Sequence, residues 1–153
     1  MKERIQNEVK LMTQIGIIQQ LLATRQAKHF AKLELSYSQF TILKHFSNNP
    51  EKEWTITSLA DVMEMNQPGI TKVVSKLIDK NLLSAKSDSQ DARKKHLKIT
   101  PQGLSLCDKI IRSLIPDISN MLSSWDDNQL IDMQIHIEKL MRWLDENRDN
   151  ITK

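Results

Sequence analysis

The sequence predicts a mainly α-helical fold with a small β-hairpin wing: a winged helix-turn-helix embedded in a helical dimerisation frame. Two observations predict it. Apolar residues recur every three or four positions along most of the 153 residues, and one stretch between residues 82 and 99 alternates with a period of two instead. The chain is 39% hydrophobic and 27% charged and has only three glycines, which is the composition of one globular domain.

Long amphipathic helices are predicted at both ends of the chain. Residues 4–33 contain no proline and carry an apolar stripe, and Asp126 with Gln129 is a start signal for a last helix. Another helix begins at Thr100 and Pro101. The first helix is longer than a globule of this size easily covers, so part of it is expected to pack on a second chain.

Short helices are predicted between the long ones. Ser36 and Gln39 fit a capping box for a helix that ends near Asn48, and Thr57 is expected to cap the next helix. Asn66 is expected to cap the one after it. Only a few residues separate these last two helices, which is typical of a helix-turn-helix.

The helix predicted over residues 66–80 has two different faces. Its apolar face has ordinary core spacing: Ile70, Val73, Val74, Leu77 and Ile78. The opposite face, called here the polar face, carries amide, hydroxyl and ammonium groups and no carboxylate: Gln67, Thr71, Lys72, Ser75 and Lys76. Such groups can form hydrogen bonds to base edges or to phosphates from within a major groove.

A basic hairpin follows this helix. Strands are predicted at residues 82–86 and 96–99, with Arg93, Lys94 and Lys95 at the tip between them. On the second strand, His96 and Lys98 alternate with inward-facing Leu97 and Ile99 and are expected to face solvent. The net charge is +1 over residues 1–65, +5 over residues 66–100 and −3 over the rest, for a total of +3. This uneven placement favours a surface that faces a polyanion.

The order of these elements resembles the MarR family of transcriptional regulators over roughly residues 10–145. The matching segments are LSYSQFTILKHF, TITSLADVMEMNQPGITKVVSKLIDKNLL and DARKKHLKITPQG. The wing match is the most specific, with Asp91 and Arg93 followed by Leu97, Thr100 and Gly103. The resemblance implies that Asp91 orients Arg93, which enters a minor groove. The chain departs from many members at Ala92, where they have a basic residue, and at Asn81, where they have glycine.

By this resemblance, residues 1–153 form a single MarR-type domain. Residues 36–100 are its DNA-binding lobe, and residues 1–35 and 101–153 are its helical dimerisation lobe. The expected function is sequence-specific transcriptional regulation, with repression as the expected mode. A homodimer would bind a near-palindromic operator, and a small-molecule effector would release it. The residues expected to contact DNA are Gln67, Thr71, Lys72, Ser75, Lys76, Asp91, Arg93, Lys94 and Lys95.

The alternative interpretation is a dimeric winged-helix protein-interaction module without sequence-specific DNA binding. Residues 66–100 contain no aromatic residue, whereas protein-binding surfaces favour aromatic or apolar centres over lysines. The composition of this segment therefore favours DNA.

Other classes of function are excluded or disfavoured. The single cysteine, Cys107, is expected to be a buried packing residue, and no disulfide, metal site or cofactor is expected. No catalytic motif is present, so an enzyme is not expected. No apolar run is long enough to cross a bilayer and the N-terminus is charged, so the expected location is the cytoplasm. Trp125 and Trp143 are expected to pack, whereas Trp54 fits either the core or a pocket wall.

Overall fold

The computed structural model describes residues 2–33, 35–89, 91 and 94–149. Their elements, in chain order, are α1 Lys2–Phe30, α2 Tyr37–Asn48, α3 Ile56–Met63, α4 Gln67–Asp79, β1 Leu83–Ser87, β2 Lys95–Ile99, α5 Pro101–Met121 and α6 Asp127–Glu146. The mainly helical fold with a hairpin wing is confirmed. The chain divides into two compact units, with the boundary between Lys109 and Ile110, inside α5. The winged helix-turn-helix lies in the first unit.

Side-chain caps fix the starts of the helices. The Ser36 hydroxyl accepts a hydrogen bond from the Gln39 amide at 3.3 Å, and the Gln39 side chain accepts one from the Ser36 amide at 2.8 Å. Asp126 and Gln129 form the same capping box at α6. Both boxes are confirmed. Each satisfies two backbone N–H groups that the first helical turn leaves without partners.

The predicted cap of α3 is wrong by two residues. Thr55, not Thr57, precedes the helix, and its hydroxyl accepts from the Ser58 amide at 3.1 Å while the Ser58 hydroxyl accepts from the Thr55 amide at 3.0 Å. Thr57 lies inside the first turn. The three-residue spacing of Thr55 and Ser58 explains the choice, because it allows both bonds of a capping box to form with a serine in place of the usual glutamate or glutamine.

The core of the first unit draws side chains from several elements. The largest that are fully buried include Phe46 from α2, Leu59 from α3, Leu77 from α4 and Leu97 from β2. From α5, the thiol of Cys107 donates to the Ser47 hydroxyl at 3.4 Å and is 1% exposed. The prediction that Cys107 is a buried packing residue is confirmed.

The hairpin is close to its predicted position, with each strand shifted by one residue at one or both ends. The strands pair antiparallel, with Leu83 opposite Ile99 and Lys86 opposite His96. Lys95 therefore begins β2 rather than lying at the tip. Trp54 adds a one-residue β-bridge to β2, because its backbone exchanges two hydrogen bonds with Leu97, of 3.0 and 2.7 Å. The three segments together are called here the wing sheet.

His45 packs against Trp54. Its ring lies edge-on to the Trp54 indole, with 4.5 Å between the ring centroids. Within the described part of the chain, His45 Nε2 and Trp54 Nε1 are buried without a hydrogen-bond partner. Burial lowers the pKa of His45, and the nearby Lys52 ammonium lowers it further. Trp54 is itself 7% exposed, which places it in the core.

The lowered pKa of His45 predicts a loss of stability in acid. As the pH falls below the ordinary value of 6.5, the unfolded chain takes up a proton at His45 before the folded chain does, which favours unfolding. The variant His45→Phe keeps an aromatic ring and removes this titration. Urea unfolding at pH 7, 6 and 5 and fixed protein concentration should give a shallower pH dependence for the variant. Parallel curves for the two proteins would contradict the assignment.

Apolar side chains remain exposed on α1 and on both helical segments of the second unit. Phe30 is the one buried residue in α1, whose central apolar stripe includes Leu11, Ile18 and Leu22 at 54%, 54% and 38% exposure. Helix α6 has no buried residue, and Trp143 is 58% exposed. The expectation that Trp125 and Trp143 pack is therefore not met within one chain. None of the helices in the described part of the chain has the length and apolar character that a membrane span requires.

Candidate nucleic-acid interface

The start and the entry angle of α4 are set locally. The Asn66 side chain accepts a hydrogen bond from the Gly69 amide at 2.8 Å, as predicted for the cap, and proline lies in the first turn. A three-residue turn, Glu64–Asn66, joins α3 to α4. Glu64 ends α3 in the left-handed conformation, with φ of 49°. No sequence pattern predicts this left-handed residue, because glutamate rarely adopts that conformation.

The two predicted faces of α4 separate in the structure. Ile70, Val74 and Leu77 are buried and Val73 and Ile78 half-buried, whereas every residue of the polar face is exposed. Packing thus fixes which side of α4 faces outward. The Thr71 hydroxyl donates to the Gln67 carbonyl at 2.8 Å, so toward an external group it acts as an acceptor. Gln67, Lys72, Ser75 and Lys76 offer donors.

The wing loop joins β1 to β2 over residues 88–94, and its described residues are held by backbone hydrogen bonds and by one carboxylate. The Asp88 amide donates to the Lys94 carbonyl at 2.9 Å, and the Lys94 amide donates to the Asp91 carbonyl at 2.8 Å. Asp88 Oδ1 accepts from the Asp91 amide at 3.0 Å. Lys94 and Lys95 are exposed. Arg93, the residue expected to enter the minor groove, lies outside the described residues, and so does Ala92.

One face of the wing sheet carries paired charges. Lys98 Nζ lies 2.7 Å from Glu51 Oε2, and this hydrogen bond and the lysine charge lower the pKa of Glu51. Lys98 is thus neutralised within the chain. Lys86 is exposed on the same face, opposite His96. Lys86 is not among the DNA contacts expected from the sequence, although the pairing of the two predicted strands places it near the loop.

His96 lies between two carboxylates. Its Nε2 is 2.8 Å from Asp88 Oδ2, and its Nδ1 is 3.5 Å from Glu53 Oε2. The side chain is 32% exposed, so it is less open to solvent than the alternation of β2 predicted. The two carboxylates use opposite ring nitrogens and therefore do not converge on one point. Consistent with this, the described residues hold no cluster of three His, Cys, Asp or Glu side chains suited to a metal ion.

Comparison with known proteins identifies the family. The profile of the family "Transcriptional regulator SarA/Rot" matches residues 26–110. The chain is 31% identical to the HTH-type transcriptional regulator SarR of Staphylococcus aureus over 115 residues, which cover 71% of this chain and all of SarR. These relatives are regulators and not enzymes, as expected.

Solved structures show the same fold. The transcriptional regulator BldR of Sulfolobus solfataricus superimposes with a TM-score of 0.70 and 28% identity, covering 96% of this chain and 98% of that one. The S. aureus MepR–DNA complex gives a TM-score of 0.72 at 16% identity, covering 87% of this chain and 97% of MepR. The fold is therefore that of the MarR-type winged-helix regulators. With its match to the regulator profile and to SarR, the chain belongs to the SarA/Rot family of transcriptional regulators.

Proposed function

We propose that this chain is a sequence-specific repressor that binds a near-palindromic operator as a homodimer. Helix α4 enters the major groove, and the wing lies against the flanking minor groove. The observation that carries the proposal is the polar face of α4: five exposed side chains with donors, acceptors and two positive charges, and no carboxylate among them. A helix with such a face fits the groove in which base pairs differ most. The proposed place of action is the cytoplasm.

The charges around α4 support a polyanion as the partner. Lys72 and Lys76 lie on the polar face, and Lys86, Lys94 and Lys95 are exposed on the wing. Among the sheet residues, the cation nearest the core is already compensated, because Lys98 pairs with Glu51. The uncompensated excess thus lies on the two elements that a winged helix applies to DNA. Asp91 and Arg93 belong to the same proposed surface through the family resemblance.

The proposed homodimer has its support in the apolar faces of α1 and α6. Many apolar side chains on these helices are about half exposed in the single chain. Contiguous apolar patches of this kind mark interaction sites, where a partner buries them. A second copy would also supply a second α4. Two half-sites about 34–36 Å apart, one turn of the duplex, would then specify more base pairs than one short helix reads.

Repression and release complete the proposal. A dimer seated over a promoter excludes polymerase from the same DNA. An effector that prefers a dimer with a different spacing of its two reading helices would lower DNA affinity, by as much as its affinities for the two states differ. The resemblance to the MarR family supports such an effector.

Selection of duplexes from a random-sequence pool tests the function directly. The purified protein at physiological salt should enrich an inverted repeat with half-sites one helical turn apart. About eight phosphate contacts per dimer would give a log–log salt slope near −7 for the selected site. Failure to enrich any sequence, together with weak binding that moderate salt abolishes, would contradict the proposal and favour a protein-interaction module.

The variant Lys72→Gln tests the role of the polar face. If Lys72 contacts one phosphate in each subunit, the dimer loses two contacts and the salt slope should become less steep by about 1.8, with affinity falling about 10- to 60-fold at 0.1 M salt. Lys139→Gln is a matched control, because it removes the same charge from an exposed position on α6. Equal slopes for Lys72→Gln and the control would remove Lys72 from the interface.

A further inference from the structure

His96 is the centre of a chain of contacts that runs from the body of the winged helix into the wing loop. On one side, its Nδ1 faces Glu53 in the segment that leads into Trp54, and Trp54 is fixed to β2 by two backbone hydrogen bonds. On the other side, its Nε2 meets Asp88 Oδ2. The imidazole thus joins a fixed segment to the residue that follows the end of β1.

Asp88 connects His96 to the wing loop through hydrogen bonds at both of its carboxylate oxygens. It uses its two carboxylate oxygens for different purposes: Oδ2 faces His96, and Oδ1 accepts from the backbone amide of Asp91 at 3.0 Å. Its side chain is 27% exposed, and its own amide donates to the Lys94 carbonyl. The orientation of one carboxylate therefore fixes both its contact with the sheet and the start of the loop. The contact with His96 and the contact with the Asp91 amide thus share one carboxylate.

The protonation state of His96 decides how many of its contacts are attractive. A neutral imidazole has one N–H and one lone pair, so it can donate to one of its two carboxylates while the lone pair faces the other. The imidazolium is attracted to both: it donates a charge-assisted hydrogen bond to Asp88, which is roughly twice as strong as a neutral one, and its positive charge faces Glu53 at ion-pair distance. Both contacts are therefore attractive only when the ring is protonated.

The charges that face His96 come from each neighbouring segment. The negative groups are Glu53 and Asp88, with Glu51 two residues from Glu53 and paired with Lys98. The positive groups are Lys86 directly opposite on β1, Lys98 two residues along β2, and Lys94 just before β2. Among the residues that the structure describes, the two carboxylates are the only charged groups within ion-pair distance of the ring, at 2.8 and 3.5 Å. Because these two groups are negative, protonation of His96 strengthens its contacts.

We propose that His96 is a positioning residue of the wing, linking the wing loop to the body of the winged helix through Asp88 and Glu53, and that protonation of His96 tightens this link. His96 acts on DNA through the loop residue Lys94 and through Lys95 at the start of β2, both of which belong to the proposed interface. The inference rests on the proposed function in one respect, namely that the wing contacts DNA. The link itself is a property of the free protein.

The test measures hydrogen exchange of a wing-loop amide in the free protein, without DNA. The protection factor of the Asp91 amide against solvent exchange, which corrects for the pH dependence of chemical exchange, should be about fivefold higher at pH 6 than at pH 8 in the unmodified protein. In His96→Gln the side chain keeps one donor but does not titrate, so the protection factor should be independent of pH and close to the pH 8 value. Glu51→Gln is the control: it breaks the adjacent ion pair with Lys98 and should retain the full pH response.

DNA affinity at the same two pH values separates this inference from the proposed function. If both hold, affinity for the selected operator rises at pH 6 more in the unmodified protein and in Glu51→Gln than in His96→Gln. A pH-independent Asp91 amide in the unmodified protein, or an unchanged response in His96→Gln, would overturn the role of His96. A normal response of the amide without any difference in DNA affinity would uphold the link and overturn the contact between wing and DNA.

Discussion

Replacing Gly103 with alanine is expected to lower the free energy of unfolding by about 2–3 kcal/mol, although alanine is the better helix former. A Cβ atom at this position would lie 2.2 Å from the carbonyl oxygen of Leu82 and 2.9 Å from Ile99 Cγ1. The first of these neighbours is backbone and cannot turn aside. It also accepts hydrogen bonds from the amide and the hydroxyl of Thr100, at 3.1 and 3.2 Å. Moving it would strain the junction between α5 and the wing sheet.

Gly16→Ala is the matched control for Gly103→Ala. Gly16 also lies inside a helix, and a Cβ atom there would meet nothing within 4 Å in the described chain. The substitution should therefore raise stability by up to about 1 kcal/mol, through helix propensity alone. Urea unfolding of both variants at one protein concentration checks the pair. Similar small gains in both would mean that α5 does not need the close approach at Gly103.

The sequence predicts the position of Gly103 but not the physical reason for a glycine there. The pattern of Thr100 and Gly103 was recognised as part of a family resemblance, but the reason for the glycine was not evident. That reason is a contact with Leu82, 21 residues earlier in the chain, and a contact of this kind requires the tertiary structure. The position was therefore predictable and its physical cause was not.

The local features of the fold were the most predictable. The Ser36, Asn66 and Asp126 caps depend on residues three positions apart, and the two faces of α4 follow from helical period alone. Thr57 was wrong because Thr55 and Ser58 satisfied the same local rule better. Such errors move a boundary by one or two residues and leave the fold class unchanged.

The site was predictable where it is built from one helix and less so where strands pair. Thr71 is an expected DNA contact, but its hydroxyl already donates to the Gln67 carbonyl. Lys98, by contrast, is compensated by Glu51, 47 residues away. The alternation of β2 predicts that His96 faces solvent, but the ring lies beside two carboxylates, Glu53 from the segment before Trp54 and Asp88 from the residue after β1. No periodicity reports contacts between such distant residues, and the DNA contacts themselves stay predictions.

The second large effect is expected at the proposed dimer interface. Ile18 lies on the central apolar stripe of α1 and is 54% exposed in the single chain, so Ile18→Glu should leave the chain folded. In a two-fold symmetric dimer that covers this stripe, the substitution buries two unpaired carboxylates in apolar surroundings, which costs several kcal/mol. The dimer should dissociate at micromolar concentration, and affinity for the operator should fall by at least about 100-fold, because each monomer reads one half-site.

Gln20→Glu separates the apolar stripe from a simple charge effect. Gln20 is exposed on the opposite side of α1 and two residues from Ile18, so this variant has the same added charge on the same helix. It should remain dimeric and lose only the small, salt-sensitive affinity that one negative charge costs at a distance from DNA. Sedimentation of both variants, with circular dichroism as the check on folding, decides the matter. A folded Ile18→Glu that stays dimeric would place the second copy elsewhere, and the exposed stripe of α1 would then need a different partner.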